Sequence, residues 1–133
     1  MEVRQGYVFK LLLRHSSVVV SPNRFCGVLE GICVNGKIYA HPSHADTLLM
    51  IDTNKISEDG EPEMTELTIH RAEYDQDPRK NYKWLGGSVG IDGNIYCPAC
   101  DTSAVLKVDT KTDHCSTFGF AGKTRNKWQV RLS

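Results

Sequence analysis

An all-β fold of propeller-like blades, made of short antiparallel strands and numbering about two in a partial array, is predicted by three observations. Gly36-Lys37-Ile38-Tyr39 returns as Gly93-Asn94-Ile95-Tyr96, and each tyrosine is followed after thirteen residues by an aspartate, Asp52 or Asp109. Lys83-Trp84 returns as Lys127-Trp128. Both copies break into short runs divided by turn residues, and recurrence at about 40 to 50 residues in short strands marks propeller blades.

The elements follow in order. Residues 1–22 match neither copy and form an irregular N-terminal extension. Val18-Val19-Val20, β-branched and stopped by Ser21-Pro22, reads as a strand, whereas Tyr7 to Leu13 fits helix or strand equally. Residues 23–82 make the first blade-like repeat. Gly27 to Val34 is its first strand, Asn35-Gly36 a two-residue hairpin turn, and Lys37 to Ala40 the return. Leu48 to Ile51 and Thr65 to Ile69 complete it. Residues 83–127 make the second repeat: Gly87 to Ile91, the turn Asp92-Gly93, Asn94 to Cys97, Val105 to Val108 and His114 to Phe118. Residues 128–133 open a truncated third. Asp52 and Asp109 are read as Asx-turn formers that end their strands. The small residues Gly86, Gly87, Ser88 and Gly90 signal close backbone approach. The polar, proline-bearing stretches Ser57 to Glu63 and Glu73 to Pro78 read as surface loops that insert without disturbing the core.

The 133 residues are too few to close a ring, since propellers use about four or more blades. Self-association or a protein partner is expected to complete the array. Sixteen basic residues balance sixteen acidic ones, so no global field favours nucleic acid or an anionic membrane. Lys10, Arg14 and His15 interrupt the apolar start before a membrane span or signal core can form. Five cysteines, an odd count without a secretory signal, argue for reduced thiols and a cytoplasmic setting.

Chemistry-bearing motifs are few. Cys97-Pro98-Ala99-Cys100 has the spacing of a zinc clamp or redox pair, and His41 and His44 in the corresponding loop of the first copy are the natural second pair of ligands, with Cys115 beside His114 a further option. The histidines fall one residue out of phase with the cysteines, and successive side chains on an extended segment face opposite ways. The favoured reading is therefore no metal and no cofactor, with the cysteines packing as small apolar residues. His15, His70 and His114 lack a partner in any nucleophile signature, so no catalytic residue is assigned. Basic residues beside Trp84 and Trp128 resemble a stacking platform for single strands, but burial of both indoles between units is the better reading.

Lys83-Trp84, Gly86-Gly87, Asp92-Gly93-Asn94-Ile95-Tyr96, Pro98 and Val105-Leu106-Lys107-Val108-Asp109 resemble the repeat of uncharacterised propeller-type proteins of unicellular eukaryotes. They are more distantly similar to NHL repeats and streptogramin-lyase propellers. The first copy departs in Phe25 and in the lone Gly27. The resemblance implies blades but no one activity, because propellers host scaffolds, lectins, lyases and hydrolases alike; the expected role is a non-catalytic binding or scaffolding module, or a fragment of a longer propeller. The alternative is part of a propeller enzyme of lyase or hydrolase type, for which no histidine and acid pair maps onto this sequence.

Overall fold

The computed structural model describes residues 10–11, 17–19, 28–76, 82–124 and 127–128. Arg24, Phe25 and Gly27, residues 77–81, most of the N-terminal extension and residues 129–133 lie outside the described residues. The fold is all-β, as the turn-punctuated runs predict. Ten strands form one sheet: β1 (Lys10–Leu11), β2 (Ser17–Val19), β3 (Val28–Val34), β4 (Lys37–Pro42), β5 (Thr47–Ile56), β6 (Pro62–His70), β7 (Ser88–Val89), β8 (Ile95–Cys97), β9 (Ala104–Asp109) and β10 (His114–Phe120). A short 3-10 turn at Glu73–Asp75 is the helical element among the described residues. No helix there is long and apolar enough to cross a membrane.

Each repeat is a four-stranded antiparallel meander, β3 to β6 and β7 to β10. Their last strands, β6 and β10, lie side by side and pair in parallel through Ile69 with Cys115 and His70 with Ser116. The eight strands β3 to β10 thus share a nearly closed, barrel-like sheet. Closure is visible at Gly87, where an added Cβ would meet Cys97 Sγ at 2.6 Å and Ile32 Cδ1, from β3, at 3.0 Å. Glycine is required there for the close approach that the sequence predicted.

The repeat spacing has a bonding cause. In the first meander the Thr53 hydroxyl and amide both donate to the Gly36 carbonyl. In the second, the Thr110 hydroxyl donates to the Gly93 carbonyl at 2.8 Å, seventeen residues away as in the first copy. The aspartate before each threonine accepts from the backbone two residues on, Asn54 N at 3.0 Å and Lys111 N at 2.9 Å. The third strand of each meander is thereby tied to the hairpin turn between the first and second.

Several local expectations are corrected. Asn35 (φ 52°) and Gly36 (φ 76°) form the two-residue turn with both residues left-handed. At the second turn only Gly93 is left-handed (φ 82°); Gly93 N–H donates to Gly90 O at 2.9 Å and Gly90 N–H to Asn94 O at 2.8 Å. That is a three-residue loop closed by a glycine bulge. Asp52 does not end its strand, because β5 runs on to Ile56 and pairs with a β6 that starts at Pro62. The predicted loop is a β-hairpin arm with a turn at Ser57–Gly60. Asp75, read as surface, is buried: its carboxylate pairs with Arg71 at 3.2 Å and accepts from Ser103 N–H at 2.7 Å.

The core fills the curl of the sheet. Ile69, Cys115, Val108 and Ile95 are register neighbours across β6, β10, β9 and β8, so one inward row crosses from one meander to the other. Ile32, Tyr39, Leu48, Met50, Leu106 and Trp84 complete it. A second backbone bond also recurs. Lys83 N–H donates to Ser43 O at 2.9 Å and Lys127 N–H to Cys100 O at 3.2 Å, and Ser43 and Cys100 each stand four residues after a repeat tyrosine. Trp84 is sealed, its indole N–H on Ala104 O at 3.0 Å. Trp128, expected to be buried likewise, is 53% exposed.

Trp84→Ala removes the largest buried side chain and leaves the Ala104 carbonyl without its donor. A loss of about 3–5 kcal/mol is expected in urea unfolding, against under about 1 kcal/mol for Trp128→Ala at an exposed site.

Candidate functional site

The candidate ligand residues that the sequence reading set aside do not converge. Cys97 lies on β8 in the core, its sulfur against Gly87. Cys100 is buried in the following loop with Sγ 3.9 Å from Asp101 Oδ1. His41 is buried at the end of β4, whereas His44 is half-buried, edge-on to Tyr82 at 4.5 Å and bonded to Ser43 Oγ at 3.0 Å. Among the described residues no three His, Cys, Asp or Glu side chains could hold one ion. Cys33, Cys97, Cys100 and Cys115 form no disulfide with one another. Burial pushes the Cys115 thiol up to about 12, which keeps it protonated and unreactive.

Two polar ends flank the core. At one, Asp113, left-handed at φ 59°, accepts from Lys37 Nζ at 2.7 Å and Tyr39 Oη at 2.5 Å, so a turn of the second meander ties down β4 of the first. The Asp113 hydrogen bond raises the Lys37 ammonium above the ordinary lysine value. Burial, then the same carboxylate, pushes the Tyr39 phenol well above the tyrosine range. At the other end Lys83, 2% exposed, donates to His44 O at 2.7 Å and Ala45 O at 3.0 Å and lies 3.6 Å from Asp46. Burial lowers its pKa from the usual lysine value. Arg71 lies over the Trp84 ring at 5.8 Å. Both ends consist of groups held by one another, which welds loops together.

His41 differs. Neither ring nitrogen makes a hydrogen bond of good geometry among the described residues, and the backbone of His41 and Trp84 near the ring offsets its burial only in part. Desolvation in this buried position lowers its pKa from 6.5 to about 4.

The outer face of the second meander is different in kind. Its register row runs Ser88, Tyr96, Lys107, Ser116, and on to His70 of β6. Tyr96 is fixed: its hydroxyl donates to Asp92 Oδ2 at 2.6 Å, and Asp92 in turn accepts from Asn94 N–H at 3.0 Å. These hydrogen bonds, Tyr96 first, hold the Asp92 carboxyl below the ordinary aspartate value. A Cβ on Gly90 would stand 2.9 Å from the Tyr96 ring, so glycine gives the ring its place. Phe118 meets Tyr96 edge-on at 6.2 Å, Phe120 meets Tyr74 edge-on at 5.7 Å, and Lys107 Nζ lies 6.0 Å from the Tyr96 centroid. His70 and His114 stack at 4.7 Å.

A β-bulge arranges this surface. Phe118 pairs with Val105, but Phe120 pairs with Ala104, and the extra residue between them is Gly119 at φ 69°. Ala104 is buried, while Phe120 opposite it is 62% exposed. An unbroken ladder would put Gly119 there and leave Phe120 on the same side as Phe118; the bulge instead sets Phe120 in register with inward-facing Ala104, so the two rings stand on opposite sides of the sheet. The sequence reading missed this cluster because it ended the strand at Phe118. The signal was Phe118-Gly119-Phe120, two aromatics around a glycine in a strand.

With this geometry in hand, the chain was compared with known proteins. No protein-family model, curated protein or solved structure matches it.

Two outcomes test the polar groups. Neutral His41 has no cost above its unfolded pKa of 6.5, and the folded state loses stability as pH falls from there toward about 4. Between pH 7.5 and pH 5 the wild type should lose about 2 kcal/mol more than His41→Leu in urea unfolding, a difference in slope that is independent of the variant's absolute stability. Asp113→Ala leaves the buried Tyr39 hydroxyl with only the distant Thr110 carbonyl and releases the part-exposed Lys37, and should cost about 1–2 kcal/mol. Asp113→Asn, which tolerates the left-handed backbone and still accepts from Tyr39, should recover about half of that.

Proposed function

We propose that this chain is a non-catalytic binding or scaffolding module built from blade-type repeats, and that it binds through the outer face of β8, β9 and β10. The observation that carries the reading is the exposed, pre-set aromatic pair there: Tyr96 clamped by Asp92, with exposed Phe118 edge-on to it. Exposed large apolar side chains lose the stabilisation that burial would give them, so a cluster of rings on one face marks an interaction surface. Rings already held in place lose little rotamer freedom on binding.

The repeat-type reading is supported by the common Gly-to-Thr bond of the two meanders and by the recurrent bond from a Lys amide to the loop after the repeat tyrosine. A ring of such units would need about four or more, which a second copy or further chain would supply. The scaffolding reading is favoured over the lyase or hydrolase alternative by the positions of the histidines. His41 is sealed, His44 packs on Tyr82, and His70 stacks on His114.

A panel of peptides, oligosaccharides and oligonucleotides titrated into 15N-labelled protein should move the amides of Tyr96, Lys107, Ser116 and Phe118 to Phe120. Phe118→Ser with Phe120→Ser should abolish those shifts while the unfolding midpoint changes little, since surface substitutions cost within about 0.5 kcal/mol. Shifts confined to the Lys83 end, or turnover of any panel member, would sink the reading.

A further inference from the structure

The join between the two meanders brings two histidines into contact. His70 closes β6 and His114 opens β10, and the parallel pairs of Ile69 with Cys115 and His70 with Ser116 fix which way each one points. Ile69 and Cys115 belong to the core, so the alternation of side chains turns His70, His114 and Ser116 to the outer face. There the two imidazoles stack, with centroids 4.7 Å apart and planes 18° from parallel, and both residues are exposed.

Their nitrogens are available. No hydrogen bond or ion pair among the described residues engages either ring. A neutral imidazole keeps one acceptor nitrogen, and two such nitrogens on adjoining rings are the donor set that zinc, nickel and copper prefer, whereas magnesium and calcium seek oxygen. Metal–nitrogen bonds of about 2.0–2.1 Å require the two ligating atoms to come within about 4 Å of each other. The stacked rings are close to that already, and a tilt about the broad χ2 torsion of histidine supplies the rest, since exposed rings are not held by packing.

The surrounding charges favour a cation. Asp109 is the register partner of His114, and its Oδ1 is occupied by the amides of Lys111 and Thr112. It contributes a negative charge beside the pair rather than a third ligand, in keeping with the absence of a three-donor cluster among the described residues. Two neighbouring cations are turned elsewhere. Lys107, opposite Ser116, leans toward Tyr96 of β8, and Arg71 lies over Trp84 and pairs with Asp75.

We propose that His70 and His114 together bind one divalent ion of the zinc, nickel or copper kind, with water completing its coordination, and that this ion clasps the two meanders at their join. The proposal is independent of the aromatic binding surface and uses none of the Cys97, Cys100, His41 and His44 candidates. One ligand comes from each meander, and the backbone there contributes two register pairs. An ion that bridges the folded strands and finds no such pair in the unfolded chain stabilises the fold by mass action. With two protein ligands the ion stays exchangeable, and copper is held most tightly of the three.

The test is titration of the full 15N-labelled chain, first stripped with a chelator, with nickel chloride and in parallel with magnesium chloride. Paramagnetic nickel is expected to broaden the amides of Ile69 to Arg71 and His114 to Ser116 saturably, at one ion per chain by calorimetry, and to raise the urea midpoint. His70→Gln and His114→Gln, both at exposed positions, should leave the metal-free midpoint unchanged. Each should weaken nickel binding by more than about tenfold, since even partners outside the ligand shell are worth about 10–100-fold, and each should remove the midpoint shift. His44→Gln should bind nickel as the wild type does. Copper bound to the wild type should show two nitrogen ligands in its electron paramagnetic resonance spectrum, and one in either variant at His70 or His114. Broadening centred on another histidine or on Cys97 to Cys100, an equal response to magnesium, or no saturable response would overturn the site. Either glutamine variant binding nickel as tightly as the wild type would reduce it to a lone surface histidine and overturn the clasp, as would saturation at both histidines without a rise in the midpoint.

Discussion

The junction of β6 with β10 pairs only Ile69 with Cys115 and His70 with Ser116, yet it decides which side of every later strand faces the core. Side chains alternate with period two, so fixing Cys115 inward beside Ile69 fixes Val108 and Ile95 inward through their own register partners. The same choice turns Ser116, Lys107 and Tyr96 outward. A slip of one residue would bring Lys107 into the core and expel Val108. Two backbone pairs are a weak tie by themselves. They are reinforced by Thr117, whose hydroxyl accepts from Ala72 N–H at 2.6 Å, and by Asp75 on the Ser103 amide. At the far end Asp113 holds Lys37 and Tyr39.

The meanders themselves were legible because their determinants are local. Asn35-Gly36 can form one tight turn and little else, and the seventeen-residue step from Gly36 to Thr53 or Gly93 to Thr110 is the trace of a hydrogen bond within one meander. Asp92-Gly93 looks like its counterpart but differs in the structure, since Asp92 is spent on Asn94 and Tyr96 and only the glycine takes the left-handed backbone. The join between the meanders had no sequence mark. Two parallel pairs between strands far apart in the chain impose no turn and no spacing. The hairpin arm around Gly60 was hidden for a related reason: Glu61, Pro62 and Glu63 have loop composition, and the ladder of β5 recruits two of them regardless.

The candidate site was the least legible part. Tyr96 was visible as a repeat residue, but its counterpart Tyr39 is buried on Asp113 while Tyr96 lies on the outer face. The same motif letter thus performs opposite tasks, and the repeat alone does not reveal which copy faces water. The cysteine and histidine motifs failed in the other direction. Their spacing suggested ligands, but Cys97 alternates into the core on β8, and His41 is shut in by the sealing of β4 on both sides. Spacing along a chain becomes ligand geometry only when the side chains point to one place.

Burial of β4 on both faces and exposure of the β8 to β10 outer face are two sides of one asymmetry. Ile38, Ala40 and Pro42 are buried although they point away from Tyr39 and His41, so β4 spends both of its faces on packing, whereas β6 of the same meander leaves Glu66, Thr68 and His70 exposed. The second meander spends one. Its inner residues, Ile95, Cys97, Leu106, Val108 and Cys115, complete the core, and its outer residues are released from that duty. Stability rests on the first meander and the inner row, where a change of one side chain is felt throughout a close-packed interior, whereas the outer face of the second can change its rings at little cost to the fold. Gly119 shows the limit of that freedom: the bulge between Phe118 and Phe120 depends on a left-handed residue, and for most side chains that conformation is strained.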